Sequence, residues 1–228
     1  MLVLLKFIAA IALLACIHIG TMAALGHGLG IKVRRISMGF GPPLFSLGVF
    51  QLRLLPIAGS VAFKDTRTED LPDDVSADDF DDAFDHKPRA IQVLLPLAGA
   101  ASLALVALLL HPGSALASIG HGFVQIVAGG LSPLGTAQGL IDGGRAFAAQ
   151  QGFVPLVGMV AAKLTALNLL PLPAMNGGQA LLALLQRGPH DDAPPRLQRL
   201  IEWGLWLWVA LALSWLVALG FFFVQSRG

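Results

Sequence analysis

LVLLKFIAAIALLACIHIGTMAAL, residues 2–25, carries a single charged side chain, Lys6, and its reading decides what kind of protein this is. About 20 mostly apolar residues suffice to cross a bilayer as a helix. The stretch is too long for the apolar core of a signal peptide, and no small-residue cleavage site ends it, so it is expected to be a retained helix. Three further windows meet the same test: residues 90–110, 153–172 and 203–224, of which the first and last contain no charge. Composition agrees, with 55% hydrophobic residues, 13% charged ones and a mean hydropathy of +0.73. An ordinary soluble domain is excluded. The expected fold class is an all-α membrane protein with four transmembrane helices, formed by residues 1–228 as one domain.

Charge patterning orients the chain. Lys32, Arg34, Arg35, Arg53, Lys64, Arg67, Lys87 and Arg89 lie between the first two windows, and Arg187, Arg196 and Arg199 between the last two. Only Lys6, Arg145 and Arg227 fall on the opposite side, so both basic-rich loops are expected in the cytoplasm and both termini outside. Ten of the 14 acids crowd between Lys64 and Lys87; residues 64–87 are expected to be a solvated acidic cytoplasmic loop. The dispersed basic residues give no phosphate-tracking patch, which argues against a nucleic-acid partner. The lone Cys16 excludes a disulfide framework and a cysteine-rich zinc site.

Residues 39–61, GFGPPLFSLGVFQLRLLPIAGSV, are apolar yet broken by Gly39, Gly41, Pro42, Pro43, Pro56 and Gly59, which forbids a spanning helix. A re-entrant β-hairpin is expected there, its backbone paired within the protein. Within it residues 49–55 suit a strand, with Val49, Gln51, Arg53 and Leu55 on one face and Phe50, Leu52 and Leu54 on the other. An open edge on that strand would bind a partner segment by strand addition. Residues 115–128 are expected to form an interfacial helix followed by a glycine-rich turn, and residues 189–196, PHDDAPPR, a proline-broken loop.

Two local patterns stand where catalytic motifs would be expected: His18-Ile19-Gly20-Thr21-Met22 in the first helix, and NLLPLPAMNGG, residues 168–178, after the third. Together they resemble the HExxH and NxxPxPxLDGG motifs of the site-2 protease family of intramembrane zinc metalloproteases. The resemblance continues in family order through GIKVRRISMGFG (30–41), LLPIAGSV (54–61), FDHKPRAIQVLLPLAGAASL (84–103) and LSPLGTAQ (131–138). It implies a bacterial inner-membrane protein without the PDZ domain found in some members. It also implies a substrate or partner that is a membrane protein or a transmembrane peptide.

The departures fall at the chemistry. His18 matches the first zinc ligand, but Ile19 stands at the general base, Met22 at the second histidine and Asn176 at the aspartate. Hydrolysis by zinc needs three protein ligands, an open position for water and a base. One imidazole and one neutral amide do not supply them, and no Asp or Glu lies inside any apolar window. The expectation is therefore a pseudoenzyme: a catalytically inactive protease-like protein that binds a membrane protein or peptide in the former active-site cleft, with no cofactor. The alternative is an active zinc endopeptidase with a rearranged site that cleaves transmembrane substrates; a transporter component is a third, less supported class.

Individual residues carry competing readings. His27 lies nine residues from His18, on the opposite face of a continuous helix, so the two cannot share an ion. His18 and Met22 share a face and would suit copper(I), but a methionine on an apolar helix is more often packing. His18 is read as hydrogen-bonded to a neighbour such as Asn176. By the resemblance, Asn168 lies near the bound peptide. Lys163, near the middle of the third window, either occupies space kept for the metal or snorkels.

Overall fold

The computed structural model describes residues 2–67, 80–185 and 194–226. Helix α1 (Leu2–Gly28) leads into two long strands, β1 (Val33–Leu47) and β2 (Phe50–Phe63). Six helices follow: α2 (Arg89–Leu110), α3 (Ala115–Leu131), α4 (Thr136–Gln150), α5 (Phe153–Asn168), α6 (Asn176–Leu185) and α7 (Pro195–Gln225). Three of them, α1, α2 and α7, are long and apolar enough to cross a membrane. Helix α5 has 16 residues, about 24 Å of rise, because Pro171 and Pro173 follow closely and the chain breaks over residues 169–175 before α6.

Leu14, Leu103 and Leu156 are fully buried where α1, α2 and α5 meet, with Ala10, Ala107, Ala161 and Ala162 letting the helix backbones approach. Long polar side chains bind orphan carbonyls at helix ends. Lys6 donates to Ala148 and Gln151 at the end of α4 (2.9 and 3.1 Å), and Arg89 donates to Leu184 in the last turn of α6 (3.0 Å). Helix α7 hangs on α3 and α4: Trp215 donates to Ile126 (3.0 Å), Ser214 to Gly130 (2.5 Å), and Gln138 to Ala218 (3.0 Å).

The two strands pair antiparallel with several register shifts. Residues 36–38 face 59–61 in descending order and are also aligned with 50–52 in ascending order, while 45–47 face 52–50. Segment 50–52 is thus flanked on both sides. The open edge expected at residues 49–55 is corrected by this register for residues 50–52. Gln51 pairs with both Ser37 and Ser46, Arg53 aligns with Pro43, and Val49 lies in the two-residue turn with Gly48 (φ 57°). Among the described residues the outer segments, paired on one side only, are 43–47 and 59–63.

Other boundaries moved as well. The glycine-rich turn after α3 leads into a helix, α4, and the last span begins at Pro195 instead of 203. The ends of the acidic segment are not a solvated loop: Lys64 and Asp85 are buried, and the backbone of residues 82–84 bonds to Lys32 and Lys64. Residues 68–79 of that segment and 186–193, which include most of the proline-broken loop, lie outside the described residues.

Candidate functional site

Helices α1, α2 and α6 meet at His18. Its side chain lies over Gly99 of α2, where an added Cβ would come within 2.5 Å of the imidazole Cε1, 2.6 Å of Nδ1 and 2.9 Å of the Met22 Sδ. Any larger residue there would drive the imidazole out. His18 and Met22 reach the same spot because residues four apart in a helix share a face. Asn176 arrives from the start of α6. It is placed by a tight fold-back in which Gly177 and Gly178 press against the carbonyls of Leu169 and Leu172, leaving no room for a Cβ at either glycine. The NGG run is therefore required by packing around the proline break.

One atom gathers the contacts at this junction. The Asn176 Nδ2 lies 2.5 Å from the Pro96 carbonyl oxygen, 3.4 Å from His18 Nε2 and 3.5 Å from Met22 Sδ. His18 is 8% exposed, and its Nδ1 is turned toward Gly99.

The remaining residues singled out by sequence are dispersed. Ile19 points to the hairpin, where a Cβ on Gly59 would meet its Cγ2 at 2.7 Å. Asn168 donates to the Leu164 carbonyl one turn back in its own helix (2.8 Å), and Lys163 donates to Ser118 of α3 (3.0 Å). Lys163 therefore reaches α3 and not the His18 junction. Gln51 and Arg53 are half-buried in the hairpin, where Arg53 donates to the Gly41 carbonyl (3.2 Å) and to the Gln51 amide oxygen (3.4 Å). Val49 is exposed at the turn. Sequence reasoning assigned no role to Gly99 or to the Pro96 carbonyl; the LPLAGA run was the only signal, and it does not reveal which helix packs over it.

A second polar cluster clasps the base of the acidic segment. Lys64 donates to Asp82 (2.5 Å), and Arg67 pairs with Asp65 (2.5 Å). Asp85 accepts from the Thr66 backbone (3.0 Å) and hydroxyl, and His86 stacks on Phe80 at 5.0 Å. Partial burial pushes the Asp82 carboxyl up, but the hydrogen bond and charge of Lys64, with Lys32 beyond it, more than offset this and leave it below its ordinary range. Arg67 is raised, chiefly by its hydrogen bond to Asp65.

Zinc does not fit the His18 junction. The donors are one imidazole nitrogen, one thioether and an amide whose nitrogen, not its oxygen, faces the other two. Zinc takes imidazole, thiolate and carboxylate ligands. Among the described residues no three His, Cys, Asp or Glu side chains are grouped to hold an ion.

Among curated proteins no sequence matches this chain. Residues 6–211 match the family model of Peptidase family M50, a range that runs from the first turns of α1 through both strands and α2 to α6 into the middle of α7. A scaffold matched over that length assigns the chain to peptidase family M50, the site-2 protease family.

Proposed function

We propose that this protein keeps the site-2 protease scaffold without zinc or hydrolytic activity and binds a membrane protein or transmembrane peptide. The observation that carries this reading is the donor set at His18. With Ile19, Met22 and Asn176 in place, the junction has no general base, no anionic ligand and no three-ligand set.

The binding half of the reading draws on the hairpin. Its apolar side chains are turned outward, with Leu44, Phe45, Leu47, Phe50, Leu52 and Leu54 exposed, while Gln51 and Arg53 are half-buried. Polar-in and apolar-out is the pattern of a strand pair bathed in lipid, which supports a hairpin dipping into the inner membrane. A partner segment that unwinds beside residues 43–47 would satisfy its backbone groups by strand addition, away from competing water. Val49 lies at the adjoining tip, and the resemblance implies that Asn168 and Asn176 would line the former cleft. Both termini outside the cytoplasm is the orientation that the basic residues favour.

Elemental analysis of the purified full chain, together with a cleavage assay on a transmembrane reporter, tests the reading. Well under one zinc per chain and no cleavage are expected. One zinc per chain with chelator-sensitive cleavage would overturn it and establish the active endopeptidase. For the binding half, photo-crosslinkers at Phe45 and Gln51 in cells should capture a partner from Phe45 in preference. Equal failure at both sites in a folded protein would exclude the hairpin as the binding edge.

A further inference from the structure

We infer that the amide nitrogen of Asn176 stands in for the metal ion: it is a neutral pin that ties α1, α2 and α6 together at the former catalytic centre. The inference rests on the zinc-free reading above and goes beyond it by naming what replaces the ion. Three acceptors from two helices converge on this one atom, from Pro96 and from His18 and Met22.

The orientation of the amide follows from chemistry. A proline carbonyl can only accept, so the Asn176 atom 2.5 Å from it must be the NH2 group and not the oxygen. One of its two hydrogens serves Pro96. The other faces the gap between His18 Nε2 and Met22 Sδ, at 3.4 and 3.5 Å. In the pin Nε2 presents a lone pair to this hydrogen, so His18 is the neutral tautomer with its proton on Nδ1, the nitrogen turned toward Gly99.

The three departures from the family pattern then form one set. Asparagine supplies a donor where aspartate would supply an anion, and methionine supplies a weak uncharged acceptor where histidine would bind the ion. Isoleucine, where glutamate would supply a base, packs its side chain against Gly59 of the hairpin. No group at the junction carries a charge that would need an ion to offset it, so the arrangement suits apolar surroundings. Gly99 holds the imidazole against the pin from the other side.

The test uses the full chain in detergent micelles, with 15N-labelled histidine and the His18 signals identified by their loss in His18→Gln. In the wild type, His18 should show a protonated Nδ1 and an unprotonated Nε2. In Asn176→Leu, which cannot donate, the tautomer balance should move toward Nε2–H, and the melting temperature in chelator should fall by about 4 °C or more. A wild-type His18 protonated on Nε2 overturns the pin even if the variant fails to fold. So does an Asn176→Leu protein with wild-type melting. Elemental analysis of the same wild-type sample separates the two ideas: one zinc per chain sinks the zinc-free reading and the pin together, whereas a zinc-free protein with the wrong tautomer sinks the pin alone.

Discussion

At the α1–α2–α6 junction, His18, Met22, Pro96 and Asn176 contribute no carboxylate, ammonium or guanidinium group, whereas the clasp at the base of the acidic segment pairs Lys64 with Asp82 and Arg67 with Asp65. The surroundings explain the contrast. His18 is 8% exposed, and at the clasp the Lys64 side chain is 9% exposed but its partner Asp82 is 40% exposed, so water shares the cost of the pair. A buried charge needs a partner or an ion. The junction meets its burial with neutral donors and acceptors, and the clasp pairs a buried ammonium with a carboxylate that solvent reaches.

The largest effect that would break this comparison is steric. Gly99→Leu forces a side chain into the space of the His18 ring and should cost about 3 kcal/mol, read as thermal unfolding in detergent; a wild-type transition would mean that the junction is not packed as described. Next is the restoration of charge. The triple variant Ile19→Glu, Met22→His, Asn176→Asp should rise from well under one toward about one zinc per chain by elemental analysis. Because Ile19 faces Gly59 and the hairpin, Met22→His with Asn176→Asp should account for most of that uptake, with the glutamate adding little to affinity.

The clasp should respond more weakly. Lys64→Met removes an ion pair whose acid is partly solvated and should cost up to about 1 kcal/mol. The sign of its pH dependence follows from Asp82, whose carboxyl is held below the ordinary 3.8. The contribution is complete above that ordinary value and disappears as pH falls through the lowered one. Asp82→Asn should flatten that acid-side loss in a pH series of melting curves. The smallest effect is expected of His18→Ala on metal content, which should stay at the wild-type background; loss of stoichiometric zinc in this variant would mean that the junction had held an ion.

Much of the fold was legible because it is local. Apolar windows gave α1 and α2 nearly to the residue, and glycine and proline placement gave a strand pair in the first loop. Helix α4 was missed because TAQGLIDGGRAFAAQ carries three glycines and weak apolar character; its contacts with α7, through Gln138 to Ala218, hold it. Helix α7 extends back to Pro195 because Arg196, Arg199 and Glu202 lower hydropathy without lowering helix propensity.

By itself the sequence determined the chemical inventory of the junction: an imidazole, a thioether and an amide, with isoleucine beside the histidine. That is a matter of residue identity and needs no coordinates. Only the tertiary structure decided that a backbone carbonyl, Pro96, completes the junction, that Gly99 makes room for it, and that residues 50–52 are paired on both sides. Backbone groups carry no mark in the sequence, and strand register between distant segments is set by the packing of whole faces, which no local pattern records.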